Sequence, residues 1–392
     1  MDAIYNPIRT NTVIKQWAWQ HDDWPNYTID PGALEAEEIE FAARMENQSL
    51  RLAEANPDDR LALRIEWLTD EAVQTSAIEG EMLRRDSVQE SLMRRMGLRP
   101  NARRHDNAEE GIAAMMVDLY GNATQPLNHG TLCDWHFALM RGNRQLDTIG
   151  DYRRYGDPMQ IVSGGHYGKR QTVHYEAPPS ADVPREINRF INWFNEVTEN
   201  PKPLTALNVA ALAHVRFELI HPFEDGNGRI GRALIEKALA RTFGRPTMTP
   251  ISTQIAKERT DYYAALESTG RLRQDVMNIT AWGRWFAAVA LRAQEHGRQA
   301  ARATLTKAFV LDRMKSQLNG RQTKAVARMF DAEPEGFKGG MSAGNYQSVT
   351  QASTSTATRD LNALVEIGIL RRTGGLRHTR YWLDWQSLEN LV

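Results

Sequence analysis

The stretch LIHPFEDGNGRIGR, residues 219–232, joins two helix-forming segments of the chain. The segment before it, residues 206–220, is almost wholly apolar, which is typical of a helix buried at the centre of a domain. Pro222 cannot continue that helix, so we expect His221 at its C-terminal end, where the chain must turn. Most of the remaining chain also carries helix-forming patterns. The sequence therefore predicts a mainly α-helical fold.

The residues after this turn have the composition of a phosphate-binding site. Gly226, Asn227 and Gly228 open the second helix, where main-chain N–H groups are free and a bound anion can approach closely. Arg229 and Arg232 follow at positions i and i+3, so they share one face of that helix. Two guanidinium groups beside free N–H groups are suited to binding a polyphosphate.

Two further residues of this stretch are candidates for chemistry. Asp225 lies next to the predicted phosphate site and supplies the oxygen ligand that Mg²⁺ prefers when it accompanies nucleotide phosphates. His221 is a candidate general base, because an imidazole titrates near pH 7; a structural histidine is the alternative. His214 and His221 are seven residues apart, which is not the His-Glu-x-x-His spacing of a zinc hydrolase.

The combined spacing, His-x-Phe-x-Asp-Gly-Asn-Gly-Arg-x-x-Arg, resembles the signature of the Fic family. The resemblance covers about residues 70–290 and implies a compact helical domain with a β-hairpin flap. It implies transfer of AMP from ATP to a Ser, Thr or Tyr hydroxyl of a target protein, with release of pyrophosphate. In that reaction His221 would deprotonate the hydroxyl, and Asp225 would hold Mg²⁺ against the α- and β-phosphates.

The resemblance also implies a nucleotide site with two parts. Main-chain N–H groups of the glycine turn and the two arginines would hold the phosphates, with the arginines on the β- and γ-phosphates. A tyrosine pair would line the adenine, and core packing is the alternative for that pair. The implied nucleotide-binding residues are Gly226, Asn227, Gly228, Arg229, Arg232, Tyr262 and Tyr263.

A second motif, TSAIEG, begins at Thr75 and resembles the inhibitory Ser/Thr-x-x-x-Glu-Gly/Asn motif of the Fic family. Its position before the catalytic motif resembles the class with an N-terminal inhibitory helix, which we place at residues 69–83. The resemblance implies that Thr75, Glu79 and Gly80 are inhibitory residues and that Glu79 pairs with Arg232, so that ATP binds unproductively. A charge-assisted hydrogen bond of this kind contributes about 1.5–3 kcal/mol.

Residues 142–181 interrupt the helical pattern. Strand-like segments at residues 159–163 and 172–175, joined through several glycines, predict a β-hairpin. A strand edge can bind an extended peptide, and structural decoration is the alternative. The predicted target-docking residues of this flap are Gln160, Ile161, Val162 and Ser163.

From about residue 320 the composition changes again. Two short helices and two strand-like segments resemble a winged helix-turn-helix over residues 320–384. Residues 301–392 also carry 13 Lys and Arg against 8 Asp and Glu. Small hydroxyls and arginines suit phosphate and base contacts, so DNA binding is one prediction and a protein-interaction module is the alternative. The candidate DNA contacts are Thr354, Thr356, Arg359 and Arg377.

We expect three domains. Residues 1–68 form a small N-terminal module, in which the alternation of Trp17 and Trp19 predicts a short strand with one aromatic face. The Fic-like domain spans residues 69–298. A linker helix and the winged helix-turn-helix span residues 299–392.

The composition limits the class of protein and the compartment that we expect. The chain has 392 residues, of which 41% are hydrophobic and 25% charged, and its net charge of −1 argues against a chain-wide nucleic-acid binder. Cys133 is the single cysteine, which fits a reducing compartment. Neither a signal peptide nor a membrane span is evident, since the longest apolar run is residues 285–291. We therefore expect a cytoplasmic protein with no membrane partner; its oligomeric state, a homodimer included, stays open.

The sequence thus predicts a protein adenylyltransferase that is autoinhibited by Glu79. Its cofactor would be Mg²⁺, and its substrates ATP and a target protein. Two alternatives stay open. One is removal of AMP, or transfer of another nucleotide or phosphate group, on the same scaffold; the other is a DNA-binding regulator that only senses nucleotide.

Overall fold

The computed structural model describes residues 16–54, 56–99, 101, 103–163, 172–199, 206–271, 273 and 275–389. Within them the chain is mainly α-helical, as predicted, and no described helix is both long and apolar enough to cross a lipid bilayer. In chain order the helices and strands are α1 (Glu35–Glu54), α2 (Pro57–Ile78), α3 (Arg85–Arg95), α4 (Asn107–Gly121), α5 (His129–Met140), β1 (Gln160–Ser163), β2 (Thr172–Glu176), α6 (Val183–Glu199), α7 (Ala206–Ile220), α8 (Asn227–Phe243), α9 (Ile251–Lys257), α10 (Arg259–Gly270), α11 (Thr280–Arg313), α12 (Gly320–Phe330), α13 (Ala343–Thr350), α14 (Thr354–Glu366), β3 (Leu370–Thr373), β4 (Arg380–Leu383) and α15 (Trp385–Glu389).

The chain forms two compact units, each assembled from separate segments. The first unit contains the described residues up to Phe41, together with Leu68–Thr247 and Ile251–Leu291. The second unit contains Ala42–Trp67, Met248–Pro250 and the described residues from Arg292 onward. The division into three domains at residues 68 and 298 stays a prediction.

α7 and α8 form the centre of the first unit. α7 is buried along almost its whole length, as its apolar sequence predicts, and it packs against α8 and α6. The ring of Phe217 on α7 lies 5.8 Å from that of Phe190 on α6, and both side chains are completely buried. A short turn at residues 221–226 joins α7 to α8. The motif at residues 219–232 therefore lies where two core helices meet.

The prediction of a short strand around Trp17 and Trp19 is wrong. Ala18–Gln20 form a 3-10 helix instead, because the side chain of Gln20 accepts hydrogen bonds from the main-chain N–H groups of Gln16 and Trp17. This local turn overrides the alternation of aromatic residues. Trp17 and Trp24 are nevertheless buried, so these aromatic side chains serve packing.

A β-hairpin in the first unit pairs β1 with β2 in antiparallel register, with Ile161 opposite Tyr175. The connecting residues 164–171 lie outside the described residues. Tyr175 is buried, and its hydroxyl donates a hydrogen bond to the main-chain carbonyl of Leu219 at 2.7 Å. The hairpin is therefore tied to α7 two residues before His221.

The C-terminal elements pack around one apolar core in the second unit. Leu361 and Tyr346 are completely buried in it, and β3 pairs antiparallel with β4. The buried carboxylate of Asp360 on α14 accepts hydrogen bonds from Arg321 at 2.8 Å and from the Tyr346 hydroxyl at 3.0 Å. Three helices, α12 to α14, precede the two strands, where the sequence predicted two short helices, and the winged helix-turn-helix stays a prediction.

The close approach of α4 to α5 yields a test of the packing. A Cβ at Gly111 would lie 2.1 Å from the carbonyl oxygen of Ala138, whereas a Cβ at Gly121, on the same helix, would meet nothing within 4 Å. We expect Gly111→Ala to lower the free energy of unfolding by about 1–3 kcal/mol through overpacking. Gly121→Ala should be neutral or should stabilise by up to about 1 kcal/mol. Equal thermal unfolding midpoints for the two variants would contradict this packing.

Candidate active site

His221 follows the last residue of α7 in a left-handed conformation, with a φ of 49°. Such a conformation is uncommon for a residue with a Cβ and persists only where the surroundings enforce it. The main-chain N–H of His221 donates to the Phe217 carbonyl at 3.0 Å, and the ring Nδ1 lies 3.1 Å from the Glu218 carbonyl oxygen. Nδ1 therefore carries the ring proton, which leaves the lone pair of the neutral ring on Nε2.

Arg153 holds the turn that contains His221. Its side chain is 1% exposed, and its Nε donates to the His221 carbonyl at 2.8 Å. Nη1 donates to the Ser180 hydroxyl at 2.8 Å and Nη2 to the Pro178 carbonyl at 2.6 Å. The main-chain N–H of Arg153 donates to the Pro222 carbonyl at 3.0 Å. Sequence analysis missed this residue, because its role depends on contacts with distant parts of the chain and has no local signal.

The His221 imidazole is neutral at pH 7. Burial lowers the pKa of His221 to about 4, and the nearby positive charge of Arg153 acts in the same direction. The hydrogen bond to the Glu218 carbonyl and the carboxylates of Glu79 and Asp225 oppose this shift without cancelling it. A neutral imidazole is what a general base requires.

Asn227 closes the turn between α7 and α8. Its side chain accepts a hydrogen bond from the main-chain N–H of Phe223 at 3.0 Å and donates to the Phe223 carbonyl at 2.9 Å. Gly226 has a φ of 81°, which favours glycine, and a Cβ there would lie 2.6 Å from Met140 Cε. The Asn227 amide thus shapes the turn, and the first main-chain N–H groups of α8 remain without intrahelical acceptors.

Arg232 is held by the end of α2. Its side chain is 1% exposed, and its Nε donates to the Thr75 hydroxyl at 2.8 Å. Nη2 donates to the Thr75 carbonyl at 2.9 Å and to the Glu79 carboxylate at 2.7 Å. Burial alone would raise the pKa of Glu79, but Arg232 holds that pKa below its usual value. The structure thus brings together Thr75, Glu79 and Arg232, and Gly80 follows with a φ of 86°.

Arg229, one helical turn before Arg232, is paired with Glu81, which sequence analysis did not single out. Nη1 of Arg229 donates to Glu81 Oε2 at 2.6 Å, and Nη2 lies 3.8 Å from Asp225 Oδ1. Glu81 lies two residues beyond Glu79. That proximity in sequence is the signal that could have found it.

Asp225 carries an exposed carboxylate. Its side chain is 53% exposed, and its Oδ1 accepts a hydrogen bond from the Gly226 N–H at 2.6 Å. The described part of the chain has no group of three His, Cys, Asp or Glu residues that could hold a metal ion. Mg²⁺ in nucleotide sites is usually bound by one or two carboxylates, with phosphates and water completing its shell. The exposed carboxylate of Asp225 therefore fits a Mg²⁺ that arrives with a nucleotide.

A buried polar group lies between α7 and α8. A Cβ at Gly231 would lie 2.1 Å from Glu218 Oε1 and 3.2 Å from His214 Nδ1, so the two helices approach here because residue 231 is glycine. Burial raises the pKa of Glu218 to about 8 and lowers the pKa of His214 to about 3. Both side chains are therefore mostly neutral at pH 7, which reduces the cost of burying them.

The two members of the tyrosine pair differ in exposure. Tyr262 is 1% exposed, its hydroxyl lies 2.9 Å from His214 Nε2, and its ring packs near Trp282 and Trp285. Tyr263 is 40% exposed, and its hydroxyl donates to the Ile78 carbonyl at 3.1 Å. The burial of Tyr262 favours the packing interpretation, and Tyr263 is the member that presents a ring surface.

The predicted docking residues of the hairpin are placed unequally. Gln160 is engaged within the hairpin, where its Nε2 donates to Glu176 at 2.7 Å. Ile161 and Val162 are exposed. The side chain of Ser163 lies outside the described residues.

The candidate DNA contacts lie in the second unit. Thr354 and Arg359 are exposed on α14. Thr356 is half-buried, and its hydroxyl accepts a hydrogen bond from the Ser353 hydroxyl at 2.9 Å as part of the helix cap, so it is less available than its neighbours. The side chain of Arg377 lies outside the described residues.

Comparison with known proteins identifies a domain around this site. Residues 126–239 match the Fic/DOC family, and residues 17–98 match a domain of unknown function, DUF4172. The chain is 33% identical over 123 residues to the protein "Protein adenylyltransferase Fic" of Drosophila virilis and to that of Drosophila melanogaster. Each match covers 31% of this chain and 24% of the relative. The chain therefore contains a Fic/DOC domain and spans about a quarter of the length of these curated relatives.

Solved structures share the fold at low sequence identity. A Fic family protein from Desulfovibrio desulfuricans G20 aligns with a TM-score of 0.50 and 22% identity, covering 92% of this chain and 98% of that one. A Fic domain containing signaling protein from Bacteroides thetaiotaomicron VPI-5482 aligns with a TM-score of 0.52 and 19% identity, covering 68% of this chain and 97% of that one. The likeness supports the helical Fic fold.

The contacts of Arg153 predict a measurable effect on His221. In Arg153→Met the nearby positive charge is absent, so the pKa of His221 should rise above about 4, while burial, the larger cause, keeps it below its ordinary value. Loss of the buried hydrogen bonds should also lower the free energy of unfolding by about 2–4 kcal/mol. Arg153→Lys keeps the charge and should leave the pKa of His221 low. An NMR titration of the His221 ring measures this, and an unchanged pKa in folded Arg153→Met would contradict the role.

Proposed function

We propose that the first unit is a protein adenylyltransferase, which transfers AMP from ATP to a Ser, Thr or Tyr hydroxyl of a target protein. The observation that carries the proposal is the convergence of His221, Asp225, Arg229 and Arg232 around the turn between α7 and α8. A neutral base, a metal-binding carboxylate and two arginines are the groups that a nucleotidyl transfer needs. The partial likeness to protein adenylyltransferases supports the same activity.

The start of α8 suits the polyphosphate of ATP. Its first main-chain N–H groups and its helix dipole favour a bound anion. Arg229 and Arg232 lie on one face of α8, where they would bind the β- and γ-phosphates. Asp225 would hold Mg²⁺, which neutralises phosphate charge when it is bound.

His221 would act on the incoming hydroxyl of the target protein. The Nε2 lone pair accepts the hydroxyl proton while the hydroxyl oxygen forms a bond to the α-phosphorus. The bond between that phosphorus and the oxygen of pyrophosphate breaks, so AMP becomes attached to the target and pyrophosphate leaves. The low pKa of His221 keeps the ring in its proton-accepting form at neutral pH.

The end of α2 would inhibit this reaction. Glu79 accepts a hydrogen bond from Nη2 of Arg232, the guanidinium that would bind the γ-phosphate. A Cβ at Gly228 would lie 2.2 Å from Glu79 Oε1, which shows how close this carboxylate comes to the first turn of α8. ATP whose γ-phosphate is displaced would not align its α-phosphorus with the hydroxyl, and small misplacements of this kind cost much rate.

The hairpin would dock the target. β1 pairs with β2 on one side, and within the described residues no third strand joins this sheet. An extended segment of a target could add to that edge, with apolar contacts to Ile161 and Val162.

Labelled ATP tests the activity. We expect Glu79→Gly to incorporate AMP much faster than the wild type, because Arg232 becomes available to the γ-phosphate. Adding His221→Ala to Glu79→Gly should lower the rate by about 10²- to 10⁴-fold, the usual contribution of a general base.

The controls separate inhibition from chemistry. Arg232→Ala should not be activated by Glu79→Gly, since the γ-phosphate ligand is lost together with the inhibitory partner. Equal rates for Glu79→Gly with and without His221→Ala would exclude His221 as the base. Release of AMP from a modified target, without incorporation, would favour the alternative of AMP removal.

For the second unit we propose DNA binding. α13 and α14 are separated by a tight turn in which Gln351 has a φ of 60°, and Arg359 on α14 is exposed. β3 adds the exposed side chains of Arg371 and Arg372. Exposed arginines on a helix and on a neighbouring strand suit contacts to a phosphate backbone.

The salt dependence of DNA binding tests this assignment with the full chain. Affinity for duplex DNA should fall steeply with salt, and Arg371→Ala should weaken binding and reduce the slope by about one. Arg185→Ala, which removes an arginine of the first unit whose side chain is 64% exposed, serves as the matched control. Absence of binding at low salt would favour the protein-interaction alternative.

A further inference from the structure

The end of α2 carries two carboxylates, Glu79 and Glu81, on either side of Gly80. The helix ends in a Schellman motif: the Gly80 N–H donates to the Ala77 carbonyl at 3.0 Å and the Glu81 N–H to the Ser76 carbonyl at 3.0 Å. Gly80 supplies the left-handed residue that this motif requires. The positions of both carboxylates are thus set by one hydrogen-bonded turn.

Each carboxylate meets a different guanidinium of α8. Glu79 accepts from Arg232 at 2.7 Å, and Glu81 accepts from Arg229 at 2.6 Å. The side chain of Arg232 is 1% exposed and that of Arg229 is 8% exposed. Because water screens these charges little, each attracts a neighbouring carboxylate more strongly than it would at the surface. Both arginines of the candidate phosphate site therefore already have an anionic partner.

The two arginines differ in what else holds them. Arg232 also donates to the hydroxyl and the carbonyl of Thr75. Nε of Arg229 is buried without a hydrogen-bond partner among the described residues, and its second carboxylate, Asp225, is 3.8 Å from Nη2. Glu81 is therefore the close partner of Arg229.

We propose that Glu81 is a second inhibitory residue, which lowers the affinity of the site for nucleotide by occupying Arg229. The inference rests on the proposed function, in which Arg229 binds a nucleotide phosphate. The Glu81 carboxylate occupies an N–H of Nη1 and places its negative charge against the guanidinium, so it competes with a phosphate for the charge and the donors of Arg229. The side chain of Glu81 is 38% exposed and can turn into solvent while the helix end stays intact.

Glu81 and Glu79 should differ in which nucleotides they affect. In the proposed function Arg229 binds the β-phosphate, which ADP and ATP share, whereas Arg232 binds the γ-phosphate of ATP. Competition by Glu81 therefore weakens the binding of both nucleotides. Competition by Glu79 acts on ATP.

Calorimetric titration of the full chain with ADP and with ATP, each with Mg²⁺, tests the inference. Glu81→Gln should bind both nucleotides about three- to tenfold more tightly than the wild type, because the neutral amide is a poorer partner for Arg229. Glu81→Asp keeps the charge and should stay near the wild type. Glu79→Gln should tighten the binding of ATP more than that of ADP.

Two matched variants control for general charge effects. Glu196→Gln removes one negative charge from an exposed position of α6 and should leave both affinities unchanged. In the Arg229→Ala background, Glu81→Gln should give no further gain, since the group for which Glu81 competes is missing.

The outcomes separate this inference from the proposed function. Equal or weaker nucleotide binding by Glu81→Gln would overturn the role of Glu81 and leave AMP transfer by Glu79→Gly untouched. If no variant binds ADP or ATP, the proposed function fails, and the role of Glu81 fails with it.

Discussion

The candidate site depends on one constraint: the chain must reverse between two buried helices within residues 221–226. The carbonyl groups of the turn that follows α7 lack helical partners and need other donors. Arg153 supplies them from its side chain and its main-chain N–H, and Asn227 satisfies both main-chain groups of Phe223. His221 thus acquires its unusual conformation from the hydrogen bonds of the turn itself.

The same buried surroundings explain the charges around the site. A guanidinium that is 1% exposed is costly without a partner, so Arg232 needs an anion or a set of carbonyls in every state. Glu79 and Thr75 meet that need here. The contact that we propose to be inhibitory is therefore also a structural requirement of the buried arginine.

The sequence predicted the site residues that lie close together in the chain. It missed contacts between residues that are far apart in the chain. The proposed base, the proposed metal ligand, the glycine turn and both arginines fall within residues 219–232, where spacing alone relates them. The pairing of Glu79 with Arg232, 153 residues apart, was predicted only because a second motif, which begins at Thr75, contains Glu79. Arg153 lies 68 residues from His221 and had no such motif. The prediction of an N-terminal strand was wrong for the opposite reason. A local hydrogen-bonded turn there outweighs the alternation of aromatic residues.

The end of α2 suits a contact that, in the proposed function, must hold the arginines of α8 and also release them to a nucleotide. Thr75 is buried within α2 and binds Arg232 through its carbonyl and its hydroxyl, so this part of the contact remains when the last residues move. Glu79 and Glu81 lie at the terminus, with side chains 30% and 38% exposed, and terminal residues open locally at low free energy. In the proposed reaction, a phosphate that replaced either carboxylate would meet a guanidinium that is already oriented. In the proposed reaction, inhibition and preorganisation of the phosphate site would therefore come from the same contacts.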